Sequence, residues 1–167
     1  MQKKNFWNAV VLSGLLALLG PVHAQDNSFK VGLILPLSGP FAATGKQLES
    51  AARLYMAQNG DTVAGRKLVL IVKDDTGSPE VTKRIAQELV VNDKVQVLAG
   101  FGLTPLAMAT APVATQSKTP MVVMAAATSI VTEASPYIVR TSFTVPQVVT
   151  TLADWASKNN IKRVVSL

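Results

Sequence analysis

From residue 30 onward the chain alternates between two hydrophobic periods. Residues 30–36 (KVGLILP), 67–73 (KLVLIVK), 95–99 (VQVLA) and 121–124 (MVVM) are short, almost unbroken apolar runs. Runs of this length, rich in Val, Ile and Leu, predict strands buried on both faces, as in parallel sheets. Residues 137–142 predict a shorter strand, and residues 163–167 the start of another. Between them the period lengthens to that of a helix. Residues 46–59 set Leu48, Ala51, Ala52, Tyr55 and Met56 at helical spacing and close at Gly60. Residues 79–92 form a second helix with Val81, Ile85, Leu89 and Val90 inward, Ser78 as N-cap and Pro79 at the first position. A third begins with Thr104 as N-cap and Pro105 behind it, and Pro112 is expected to kink it. Residues 146–158 predict a fourth, with Val149, Leu152, Ala153 and Trp155 on its buried side.

Strands alternating with helices at this spacing predict an α/β fold, a parallel sheet flanked by helices. A last strand with no helix behind it leaves that sheet face uncovered. The chain therefore reads as a fragment of a longer protein.

The first residues carry a different signal. Lys3 and Lys4 precede an apolar run over residues 6–19, interrupted by Asn8, Ser13 and Gly14. Val22-His23-Ala24 then offers small residues at a cleavage site, so residues 1–24 read as a secretory signal peptide with the mature chain starting at Gln25. The alternative is an uncleaved anchor, for which the run is short. Gln25 stands where a bacterial lipoprotein needs cysteine, which predicts a freely soluble periplasmic protein without a lipid anchor.

Charge and composition narrow the chemistry. The sixteen basic and ten acidic residues give a net charge of +6. Loss of Lys3 and Lys4 leaves fourteen basic residues against ten acidic, with no basic run and few aromatics. That distribution argues against a nucleic-acid partner. There is no cysteine, and the single histidine, His23, lies in the leader. The usual transition-metal ligands, the commonest general base and the Ser–His and Cys–His nucleophile pairs are all missing. The expectation is a monomeric binding protein without metal or cofactor, not an enzyme.

In an open parallel sheet, ligands bind beyond the carboxyl ends of the strands. Three loops leave such ends, residues 37–45, 100–104 and 125–129, and they carry Gly, Ala, Ser and Thr. Thr104, at a helix start, is a candidate for holding a ligand carboxylate. It is equally readable as a residue that only caps its own helix. Thr128 has the same two readings. Phe101 either lines a pocket or packs the sheet end. GFGLTP at residues 100–105 resembles a dinucleotide loop, but Pro105 stands where the third glycine belongs. Asp74-Asp75 reads as a turn former in DDTGSP before it reads as a carboxylate pair.

The stretch KVGLILPLSGPFAATG (residues 30–45) resembles the opening of the leucine/isoleucine/valine-binding protein family, the type I periplasmic binding proteins of ABC importers. Asp74-Asp75, the strand up to Gly100, Pro120-Met121-Val122-Val123, Ala126-Ala127-Thr128 and Arg140-Thr141 continue the likeness. The resemblance implies two α/β lobes joined by a hinge. Residues 25–145 would form the first lobe and 146–167 begin the second. It implies that Thr104 binds a ligand carboxylate, helped by a backbone group of Ala126 and the hydroxyl of Thr128. Thr44 falls where many members carry an aromatic wall. Its small side chain favours an aromatic or extended carboxylate over a branched-chain amino acid. The implied partners are a small-molecule ligand and the membrane permease subunits of an importer. A ligand-sensing domain of a receptor is the alternative.

Overall fold

The computed structural model describes residues 27–165, so the predicted leader lies outside the described residues. Five strands correspond to the apolar runs: β1 (Ser28–Leu35), β3 (Arg66–Asp74), β4 (Val97–Gly100), β5 (Met121–Val123) and β6 (Ile138–Arg140). A two-residue strand, β2 (Thr62–Val63), pairs antiparallel with β3; every other pairing is parallel. The sheet order is β2-β3-β1-β4-β5-β6.

Four helices connect or follow these strands: α1 (Ala42–Asn59), α2 (Pro79–Val91), α3 (Thr104–Ser117) and α4 (Val145–Lys158). Strand alternation divides the core between the two sheet faces. Ile34, Leu98, Met121 and Val123 point to one face and pack with Ile85 and Leu89 of α2 and Ala107 and Ala114 of α3. Leu33, Leu35 and Ala99 point to the other, against Leu48 and Ala52 of α1. Each fully buried Leu or Ile contributes about 1.5–3 kcal/mol relative to exposure.

Several sequence expectations require correction. α1 starts at Ala42, four residues before the predicted start, so Gly45 lies inside the helix. A Cβ on Gly45 would collide with the Pro36 carbonyl, so this glycine lets the helix press against the β1 exit instead of marking a loop. Tyr55 and Ala51 are exposed, and the inward stripe of α1 is Leu48, Ala52 and Met56. Pro112 lies inside α3, as the sequence placed it, on the exposed side of the helix.

The last two elements also differ. Val149, Leu152 and Trp155 of α4 are exposed, at 54%, 60% and 57%. The helix is amphipathic as predicted, but no described element packs extensively on its apolar face. Residues 161–165 form no strand, because no described strand offers them a ladder partner; residues 166–167 lie outside the described residues. No helix among the described residues is long and apolar enough to cross a membrane.

Candidate functional site

The strand order fixes where a site can form. The chain passes from β1 to β3 on one side, then returns to β4 on the other. The connections therefore diverge between the carboxyl ends of β1 and β4, opening a crevice there.

Backbone hydrogen bonds tie the strand exits around this crevice together. Phe101 N–H donates to the Ile34 carbonyl at 3.1 Å, Met124 N–H to the Gly100 carbonyl at 2.8 Å, and Ala126 N–H to the Phe101 carbonyl at 3.1 Å. Gly100 makes the close approach of β4 to β1 possible. Its φ is +117°, and a Cβ there would collide with the Ile34 carbonyl. Asp74, at the end of β3, organises the β1 exit by accepting from Leu37 N–H at 2.9 Å and Thr76 N–H at 2.8 Å. Burial works against its ionisation. Donation from the Ser38 hydroxyl and from the backbone of Thr76, Leu37 and Ser38 outweighs this and holds the carboxyl below its ordinary value.

Asp75 is different. It is fully buried, accepts Gly77 N–H at 2.9 Å through one oxygen, and its other oxygen has no partner. Burial raises its pKa, the Gly77 and Thr82 hydrogen bonds opposing, with the Asp74 charge adding to the rise. The two carboxylates thus serve the turn, as the sequence suggested, and do not form a working pair.

The structure brings Thr104 and Thr128 together, with their hydroxyls 2.7 Å apart. Thr104 is not the N-cap: Leu103 occupies that position with extended backbone, and no side chain caps the helix. Thr104 is the first helical residue, so its hydroxyl is free to meet Thr128. Thr128 precedes a short 3₁₀ turn (Ser129–Thr132) and likewise makes no side-chain cap. Among the described residues, the N–H groups of Thr104, Leu106 and Thr128 find no backbone acceptor. Hydroxyls and unpaired N–H groups at a helix start suit an anion.

The other predicted site residues separate. The Phe101 side chain is fully buried in the core with φ +64°, so it packs the sheet end and does not face a ligand. Ala126 is 2% exposed and its N–H is already used, which leaves only its carbonyl for binding. Thr44 is exposed in the first turn of α1, and no hydrogen bond links it to Thr104 or Thr128. A cleft of about 350 Å³ along α3, lined by Met108, Ala111, Pro112 and Ala134, includes neither threonine. Its polar lining residues are Thr115, whose hydroxyl is already bonded to the Ala111 carbonyl and Ser135, and Gln116, and it lies away from the strand exits.

Sequence reasoning missed the role of Arg140. Its guanidinium donates to the carbonyls of Ala127 at 3.0 Å and Thr128 at 2.7 Å, with a longer contact to Ser129 at 3.5 Å. The Ala127 carbonyl also accepts Val145 N–H at 2.9 Å. Arg140-Thr141 entered the sequence reading only as part of the family likeness, with no partner assigned to the guanidinium.

Comparison with known proteins places this geometry. Residues 28–167 match the periplasmic binding protein family. A Leu/Ile/Val-binding protein homolog of Brucella abortus is 46% identical over 145 residues, covering 86% of this chain and 37% of the relative. An ABC-transporter solute-binding protein from Rhodopseudomonas palustris BisB5, solved with 3,4-dihydroxybenzoic acid, is 60% identical with a TM-score of 0.81. That match covers 82% of this chain and 38% of the other. A second, from strain HaA2 with p-hydroxybenzoic acid, is 46% identical with a TM-score of 0.76, covering 79% and 36%. The chain thus spans about two fifths of the length of the relatives it matches. Parallel α/β topology, crevice and sequence agree, and the chain belongs to the periplasmic binding protein family.

Proposed function

We propose that this chain supplies the first lobe of a periplasmic solute-binding protein that captures an aromatic carboxylate for an ABC importer. The observation that carries this reading is the Thr104–Thr128 hydroxyl pair at the strand exits, beside N–H groups with no backbone acceptor. A carboxylate replaces the hydroxyl–hydroxyl bond with two charge-assisted ones, each stronger than the neutral bond it displaces. The benzoate-type ligands of the two Rhodopseudomonas proteins favour an aromatic acid over a branched-chain amino acid. Residues 27–165 contain neither His nor Cys, which supports a binder over an enzyme.

In this reading residues 1–24 are cleaved and the protein is a monomer free in the periplasm. Residues 146–167 open a second lobe that closes over the ligand. Closure is a population shift driven by contacts made only in the closed state, which the permease subunits then read.

The test is thermal unfolding of the protein expressed from its own gene against benzoates, the matching benzamides and branched-chain amino acids. Ligand at a hundred times Kd stabilises the native state by about 2.7 kcal/mol. Stabilisation by the benzoates alone is the expected result. Stabilisation by leucine, isoleucine and valine alone would overturn the aromatic assignment.

A further inference from the structure

We infer that Arg140 is a positioning residue that makes the site selective for anions: its guanidinium grips the carbonyl side of the Thr128 loop and leaves its charge behind the hydroxyl pair. The inference rests on the carboxylate reading above and extends it to a group that does not touch the ligand.

The geometry is specific. Arg140 ends β6, and its two terminal nitrogens reach consecutive carbonyls, those of Ala127 and Thr128, at 3.0 and 2.7 Å. Each of these carbonyls shares a rigid peptide plane with the next N–H, that of Thr128 and of Ser129 respectively. A cation on the oxygen side polarises the peptide and strengthens the N–H on the other side as a donor. The Thr128 N–H is one that finds no backbone acceptor. The same grip fixes the loop that presents the Thr128 hydroxyl to Thr104.

The charge itself is not neutralised. The ion pairs among the described residues are Arg53–Glu49, Lys67–Asp61, Lys73–Glu88 and Arg84–Glu88, and none involves Arg140. The side chain is half-buried, and its Nε–H is buried without an acceptor. A partly desolvated guanidinium that meets only carbonyl dipoles retains a positive field. That field favours a ligand with a carboxylate over its neutral amide, a discrimination two threonine hydroxyls alone supply weakly.

Two substitutions separate charge from bracing. Arg140→Gln keeps amide donors for the carbonyls and removes the charge; Arg140→Lys keeps the charge and loses the fork. Both are made in the protein expressed from its own gene, and Kd is measured by calorimetry for 4-hydroxybenzoate and 4-hydroxybenzamide. The expected result is that Arg140→Gln reduces the acid-over-amide preference at least tenfold. Arg140→Lys weakens both ligands but keeps the preference within threefold of wild type. If Arg140→Gln does not unfold cooperatively, Arg140→Lys decides alone, and collapse of its preference overturns the inference. Equal weakening of acid and amide in Arg140→Gln would make Arg140 a brace only and overturn the inference, leaving the carboxylate reading intact. Failure of the wild-type protein to bind the acid would instead remove the carboxylate reading, and the inference with it.

Discussion

Replacing Thr104 by valine, Thr128 by valine, and both together measures whether the two hydroxyls converge on one ligand group. Valine keeps the branched shape and removes only the oxygen. In the free protein the hydroxyls satisfy each other at 2.7 Å in a solvent-exposed setting, so each single change costs folding stability no more than about 1 kcal/mol. Binding is more sensitive, because a hydrogen bond to a charged group contributes about 1.5–3 kcal/mol. Each single variant therefore weakens carboxylate binding roughly 10- to 150-fold. The two effects should not add. Removing one threonine also spares the cost of breaking the hydroxyl–hydroxyl bond on binding, so each single loss is reduced by that bond and the double variant exceeds the summed losses by about 1 kcal/mol. Calorimetric titration of the four proteins with 4-hydroxybenzoate, beside urea unfolding to hold stability in view, closes the cycle. Single variants within twofold of wild type would refute the reasoning. Strictly additive losses would also refute it, since they would mean the hydroxyls act on separate parts of the ligand.

Asp75→Asn tests the buried carboxyl: the raised pKa of Asp75 means the folded state holds its proton longer than the unfolded chain, so this group's contribution declines as pH rises above about 4. Urea unfolding from pH 3.5 to 7 should show the asparagine variant gaining relative to wild type as pH rises; a constant difference would contradict the assignment. Asp74 has the opposite sign, and its contribution is present above the ordinary carboxylate value of 3.8 and lost as pH falls through its lowered pKa. Asp74→Asn should therefore destabilise most at neutral pH and least in acid, by the same assay. Gly100→Ala meets both the Ile34 carbonyl and an unfavourable φ, and should cost about 3 kcal/mol or more in denaturant unfolding. Intact-mass measurement of the exported product should give a chain beginning at Gln25, and a retained Met1 would sink the signal-peptide reading.

The parallel strands were readable because burial on both faces writes itself as a continuous apolar run, as in GLIL or VVM. Their ends were less clear, since a ladder stops where its neighbour stops. β2 was invisible: two residues, Thr62 and Val63, carry no period, and only the turn at Ala64-Gly65 returns them to β3. The start of α1 was hidden because Gly45 reads as a breaker, whereas its purpose is close contact with the Pro36 carbonyl at the β1 exit, which no hydrophobic period announces. Thr104 and Thr128 were named from loop composition, yet their mutual bond spans 24 residues and could not be. Phe101 illustrates the converse. An aromatic in a glycine loop suggests a pocket wall, but a left-handed backbone turns it into the core. Arg140 was legible only as part of the family likeness and its role was not, because its partners are backbone oxygens, which no residue type advertises.

The position of β1 has a consequence for how the molecule assembles. It is the first strand in the chain and lies in the interior of the sheet, with β3 on one side and β4 on the other. β4, β5 and β6 then add outward in the order in which they are made. As the chain emerges from the ribosome or a membrane pore, every parallel strand meets an edge that is already present. Only the two-residue β2 waits for a later strand, β3, and no strand of the parallel series β4, β5, β6 inserts between two formed neighbours. The sheet can therefore grow by accretion in step with delivery, a property suited to a polypeptide that reaches its folding compartment one end first.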